Sequence, residues 1–153
     1  MYAALGTWPD ISFAVSLLSQ FMQNPRRPHW EAVKRVFQYL KGTKNYCLTI
    51  SATQKGLESF SDADWALQEH CHSISGYVFT IDSRAVSWSS KKQAIVTLST
   101  MEAEYIAGTH ATKEALWIRM FLSEITQPLR KPIAIYFNNL STISITKNDE
   151  YHP

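Results

Sequence analysis

Long apolar runs are missing from this chain of 153 residues. No stretch approaches the ~20 consecutive apolar residues that carry a helix across a bilayer, so no membrane-spanning segment and no membrane partner is expected. Cysteine is scarce. The start, Met1-Tyr2-Ala3-Ala4-Leu5-Gly6, has no basic region leading into an apolar stretch and is broken by Trp8-Pro9-Asp10, so it does not read as a secretory signal. Cys47 and Cys71 are therefore expected as reduced thiols in an intracellular compartment. Charge of neither sign dominates: a formal net charge of +2 is too mild to imply nucleic-acid binding and does not oppose it. Internal repeats and low-complexity tracts are absent as well. What remains is ordinary globular material, 45% hydrophobic and 18% charged, enough for one domain that buries roughly 70% of its unfolded surface.

Two textures divide the chain. In the first, Asp10 can cap a helix with Ala14, Leu17, Leu18 and Phe21 at helical spacing, ending before Asn24-Pro25. Pro28 introduces a second helix through Trp30, Val33, Val36, Phe37 and Leu40, with Gly42 as its stop. Residues 1–44 thus read as a helical pair. Strand-like segments follow at Tyr46 to Ser51, Leu57 to Asp64, Ile74 to Ile81 and Ala85 to Ser89, with Val96 to Ser99 as a brief extension. Thr100 can cap a long helix to about Glu124, whose stripe runs through Met101, Tyr105, Gly108, Ala111, Ala115, Ile118, Leu122 and Ile125. Ile133 to Phe137 suits a buried strand, and Asn139 can cap a last helix to Lys147.

Acids punctuate this order. Asp62 and Asp64 fall on one face of a strand, roughly 6.6 Å apart, so one ion cannot take both closely without a bend. Phe60 shares their face, which predicts Phe60 in the core and Asp62 emerging at the sheet's rim. On the long helix Glu104 lies beside the small Gly108, whereas Glu102 points away by about 160°, so Glu104 is the acid expected to face the sheet. Acids are also favoured at strand ends and helix N-termini without any further role. Glu69-His70-Cys71-His72 invites a zinc reading, but adjacent ligands do not match structural zinc spacing. Trp88, Lys91 and Lys92 offer an aromatic and basic set suited to nucleic acid, or equally a core tryptophan beside a solvated turn.

Ser61-Asp62-Ala63-Asp64-Trp65-Ala66, Ser75-Gly76-Tyr77-Val78-Phe79, Val86-Ser87-Trp88-Ser89-Ser90-Lys91-Lys92-Gln93 and Leu98-Ser99-Thr100-Met101-Glu102-Ala103-Glu104-Tyr105 together resemble the ribonuclease H domain of copia-type retrotransposon polyproteins. Upstream, Thr7-Trp8-Pro9-Asp10-Ile11, His29-Trp30-Glu31-Ala32-Val33-Lys34-Arg35-Val36 and Tyr39-Leu40-Lys41-Gly42-Thr43 resemble the tail of the reverse transcriptase that precedes it, with Trp8 where the family has arginine. The resemblance implies an α/β (α+β) ribonuclease H-like fold over residues 45–153, a mixed sheet flanked by helices, truncated before the fifth strand and last helix. Residues 1–44 become a helical, thumb- or connection-like tail, without the transcriptase's own catalytic acids.

The implied reaction is hydrolysis of the RNA strand of an RNA-DNA hybrid by two Mg2+ or Mn2+ ions held by four acids, about 4 Å apart. By resemblance the first acid is Asp62 and the second Glu104, with Asp64 as a further candidate ligand. The third position is Asn138 in place of aspartate, and the fourth lies in a segment expected beyond Pro153. An amide in place of a carboxylate removes charge from a site that binds by charge, so hydrolysis is expected to be weak or absent. The resemblance also implies the remaining polyprotein as partner, and a cytoplasmic virus-like particle or the nucleus as location. A catalytically dead nucleic-acid-binding fold and an unselected remnant of a decayed element are the alternatives.

Overall fold

The computed structural model describes residues 2–49, 56–65, 72–125 and 132–148. The chain divides into two compact units, Met1–Ser51 and Ala52–Pro153, a few residues beyond the change of texture at 44/45.

The first unit is helical: α1 (Tyr2–Gly6), a 3-10 turn (Pro9–Ile11), α2 (Ser12–Ser19) and α3 (Arg27–Gly42). Asp10 does not cap α2, which has no side-chain cap. It lies in the 3-10 turn and accepts a hydrogen bond from the Tyr39 hydroxyl of α3. Proline opens α3 as expected, and the Arg26 backbone N–H donates to His29 Nδ1 at 3.1 Å, which secures the helix start. The strand expected from Tyr46 is absent over the described residues, which continue to Thr49. The Tyr46 N–H turns back to the Thr43 carbonyl at 2.9 Å, and Tyr46 and Leu48 are exposed. Strand-forming residues with no partner strand or face to bury do not stay in a strand.

The second unit is a four-stranded sheet in the order β3-β2-β1-β4, built from β1 (Leu57–Asp64), β2 (Ile74–Ile81), β3 (Arg84–Lys92) and β4 (Ile135–Tyr136), with α4 (Thr100–Ile125) and α5 (Leu140–Thr146). The first three strands are antiparallel and β4 joins β1 in parallel. This is the mixed, helix-flanked α/β arrangement the sequence led us to expect. Asp82 and Ser83, both with positive φ (52° and 64°), make the two-residue β2–β3 hairpin, whose twist such turns match. The segment Val96 to Ser99 is irregular rather than strand.

The buried side of β1 is the opposite of the one expected. Ser59 and Ser61 face inward while Phe60 is 44% exposed and stacks on Tyr136, ring centroids 5.3 Å apart. The cause lies on α4, which buries Ala103, Ala107, Ala111 and Ala115. Small residues let the helix come close to the sheet, and the space left suits serine better than phenylalanine. Bulk returns further along, where Phe79, Ala115 and Ile118 form the core with Leu57, Leu122, Ile133 and Ile135 packed against it. Complete burial of Phe79 stabilises the unit by roughly 2–3 kcal/mol.

The start of α4 also differs in detail. Ser99, not Thr100, accepts from the Glu102 N–H at 3.1 Å, and Glu102 Oε2 accepts from the Leu98 N–H at 2.8 Å. Glu102 therefore satisfies the helix start and leaves Glu104 for the sheet side.

Candidate functional site

Asp62 stands near the C-terminal end of β1, exposed, and in register with Gly76 of β2. Parallel pairing of Phe60 with Tyr136 brings the chain after β4 alongside it, so that Asn138 Nδ2 donates to Asp62 Oδ1 at 3.3 Å. The same oxygen accepts from the Ala63 N–H at 3.0 Å. Asn139 immediately caps α5, accepting from the Ser141 and Thr142 N–H groups at 3.0 and 3.1 Å. That cap fixes the backbone on which Asn138 is presented.

Glu104 enters from α4 and is 5% exposed. Its carboxyl is pushed up to about 7, chiefly by burial and then by the hydrogen bond and charge of Asp62, while the Ala63 backbone amide pulls it the other way. Its Oε2 is buried without a hydrogen-bond partner. Asp62, Glu104 and Asn138, far apart in sequence, are thus brought together at the C-terminal ends of two parallel strands, where α/β sheets commonly bind ligands.

A buried acceptor with no donor, beside a second carboxylate and an amide oxygen that a half-turn of Asn138 would supply, fits one hard divalent cation. The set does not fit two strongly held ions. Among the described residues no group of three His, Cys, Asp or Glu side chains is placed to hold a metal, so Asp64, opposite Ile74, does not complete a three-carboxylate cluster.

The basic and aromatic set is dispersed. Trp88 is half-buried opposite Val78, roughly 12 Å along the sheet from Asp62. Successive residues of a strand point to opposite faces, so Lys91 and Lys92 do not form one patch. Lys91 lies on the α4 side, where with burial and Lys113 it lowers the His110 pKa. Glu69, His70 and Cys71 fall outside the described residues, while His72 Nδ1 lies 3.0 Å from the Gln93 carbonyl oxygen. Cys47 is an exposed free thiol. Among the described residues no helix is long and apolar enough to cross a membrane.

Gln93 closes one of the segments that carry the family resemblance but is given no role there, yet it is 2% exposed and holds two elements together. Only the fold reveals that role.

No protein-family model matches the chain, and no solved structure matches it either. Curated proteins do. The chain is 43% identical over 153 residues to the retrovirus-related Pol polyprotein from transposon TNT 1-94 of Nicotiana tabacum, covering 99% of this chain and 11% of that protein. It is 38% identical over 148 residues to the Pol polyprotein from transposon RE1 of Arabidopsis thaliana, covering 95% of this chain and 10% of that one. It thus spans about a tenth of the length of these polyproteins. A smaller relative, secreted RxLR effector protein 161 of Plasmopara viticola, is 48% identical over 121 residues, covering 77% of this chain and 84% of the effector.

Proposed function

Because the chain is similar over nearly its whole length to stretches of Pol polyproteins of plant copia-type transposons, we propose that its second unit is a ribonuclease H-type hybrid-binding fold with a reduced metal centre. It takes one Mg2+ or Mn2+ weakly and hydrolyses the RNA strand of an RNA-DNA hybrid poorly or not at all. The observation that carries this reading is the convergence of Asp62, Glu104 and Asn138 at the ends of β1 and β4, with Glu104 Oε2 buried and unpartnered.

The charge of the set explains the weakness. Asp62 and Glu104 are the only carboxylates of the set. Glu104, pushed up to about 7, is only partly ionised at neutral pH, and Asn138 supplies no charge. A bound cation would hold a phosphate oxygen and lower the pKa of a water. The residues' own contribution is to orient it: Asp62 is fixed by the Ala63 amide, and Glu104 by its burial beneath the strand ends. Losing even an outer partner of a metal ligand costs about 10- to 100-fold in affinity or activity, and losing a ligand's charge costs at least as much.

The test compares the protein with Asn138→Asp, on a labelled RNA-DNA hybrid with Mg2+ or Mn2+ and, separately, by Mn2+ titration. The expected result is at least about tenfold tighter Mn2+ binding in the variant, with cleavage rising from a level near background. Efficient Mg2+-dependent cleavage by the unaltered protein, abolished by Asp62→Asn, would overturn the claim of a reduced centre. Salt-sensitive hybrid affinity with neither Mn2+ binding nor cleavage in either protein would favour a binding fold without a metal centre instead.

A further inference from the structure

Gln93 follows β3 and has no place in the metal set, yet its contacts span the two elements that build the set. Its Nε2 donates to Ser75 Oγ of β2 at 2.8 Å and to the Ala103 carbonyl of α4 at 2.9 Å. Ser75 is the register partner of Ala63, the residue after Asp62. Ala103 is the residue before Glu104. The Gln93 backbone is anchored independently, its N–H donating to the Ser73 carbonyl at 2.8 Å. One amide therefore ties the strand neighbouring Asp62 to the turn of α4 that carries Glu104.

The orientation of that amide is fixed by chemistry. Both neighbours of Nε2 can accept and the Ala103 carbonyl can only accept, so exchanging nitrogen and oxygen would set two carbonyl oxygens against each other. The cost of this arrangement is visible, because Gln93 Oε1 is buried without a partner. Burying an amide with one atom unsatisfied is unfavourable, and an apolar side chain of the same length would fill the space without that penalty. What such a side chain could not do is hold the first turns of α4 at hydrogen-bonding distance from β2.

We infer that Gln93 is a positioning residue that holds α4 against β2 so that the Glu104 carboxylate stands beside Asp62. It touches neither substrate nor cation. The inference rests on the metal reading above for its consequence, and on the contacts of Gln93 for its geometry.

The experiment uses the full chain. Gln93→Met keeps the length of the side chain and removes the amide, and it is expected to weaken Mn2+ binding about 10- to 100-fold under conditions where the protein remains folded. Phe79→Leu, a core change away from the site, serves as the control: it lowers the melting temperature and leaves Mn2+ affinity unchanged. Wild-type Mn2+ affinity in Gln93→Met would overturn the inference, as would an equal loss in Phe79→Leu.

A second arm needs no metal. The carbon NMR signal of the Glu104 carboxyl is expected to move on Asp62→Asn in the otherwise unaltered chain and to stay in place on the same change in the Gln93→Met background. A full response in both backgrounds refutes the positioning role, even if the protein binds no Mn2+ and the metal reading itself fails. Should Gln93→Met not fold, Ser75→Ala, which removes one of the two acceptors, takes its place. A several-fold loss of Mn2+ affinity with a diminished NMR response supports the inference, and wild-type values of both refute it.

Discussion

At the scale of a single residue, Glu104 couples the candidate site to stability. Its carboxyl, normally near 4.5, is pushed up to about 7 in the folded protein by burial and by Asp62. The folded state therefore binds this proton more tightly than the unfolded state between those values. The stabilisation is complete below about 4.5 and is lost as pH rises through 7. Glu104→Gln, which cannot ionise, is expected to flatten this dependence and to be the more stable protein at pH 8, by about 1–2 kcal/mol. Solvent screening at the rim keeps the effect below the full value of the shift. Urea unfolding at pH 5 and pH 8 measures it, and parallel losses of stability in both proteins would refute the assignment. Asn138→Asp works in the opposite direction. A further carboxylate beside Asp62 and Glu104 is expected to lower the melting temperature at pH 8 in EDTA, and Mg2+ is expected to restore it, because like charges repel until a cation neutralises them.

At the scale of elements, the placement of Asn138 depends on the short helix that follows it. With seven residues, α5 is too short to persist on its own propensity, and the two bonds to Asn139 Oδ1 supply its start. Asn139→Ala is expected to cost about 1 kcal/mol and to speed amide exchange at Ser141 and Thr142. Asn139→Asp keeps the acceptor and should exchange as the unaltered protein does. Caps of this kind are legible because a short polar side chain ahead of an apolar run has few other uses, and so Asn139 and the limits of β1 and β2 could be read from the sequence. The inward side of β1 could not. Alternation shows that Phe60 and Ser61 face opposite ways, but which side is the core depends on the alanine face of α4, more than forty residues later. The same limit hid the contacts of Gln93, whose partners Ser75 and Ala103 lie on elements that meet only in the fold. Strand and helix spacing place Asp62 at the sheet's rim and Glu104 on the sheet side of α4, but spacing alone leaves them as ordinary acids, and Asn138 is singled out only through the family resemblance.

Over the whole molecule, the two units differ in how much they bury. In the second, α4 presses seven buried residues, Ala103 to Ile118, towards the sheet, and Phe79 is fully enclosed. In the first, α3 has no buried residue among its sixteen; Trp30 and Phe37 are 58% and 64% exposed, and the buried residues of the unit are Ala4, Ile11 and Ser12 among those described. Stability follows burial, and local opening costs least where few apolar contacts hold the backbone. Amide hydrogen exchange of the full chain is therefore expected to divide by unit, with α3 protected at least ~100-fold less than the middle of α4 and the central strands β1 and β2. The experiment also separates intrinsic looseness from cover by a second molecule. Protection of α3 that equals that of α4 at high protein concentration and falls on dilution would mean that its apolar face is buried between copies. Equal protection at every concentration would refute the ranking, because it would require contacts to α3 that its exposed Trp30 and Phe37 do not make.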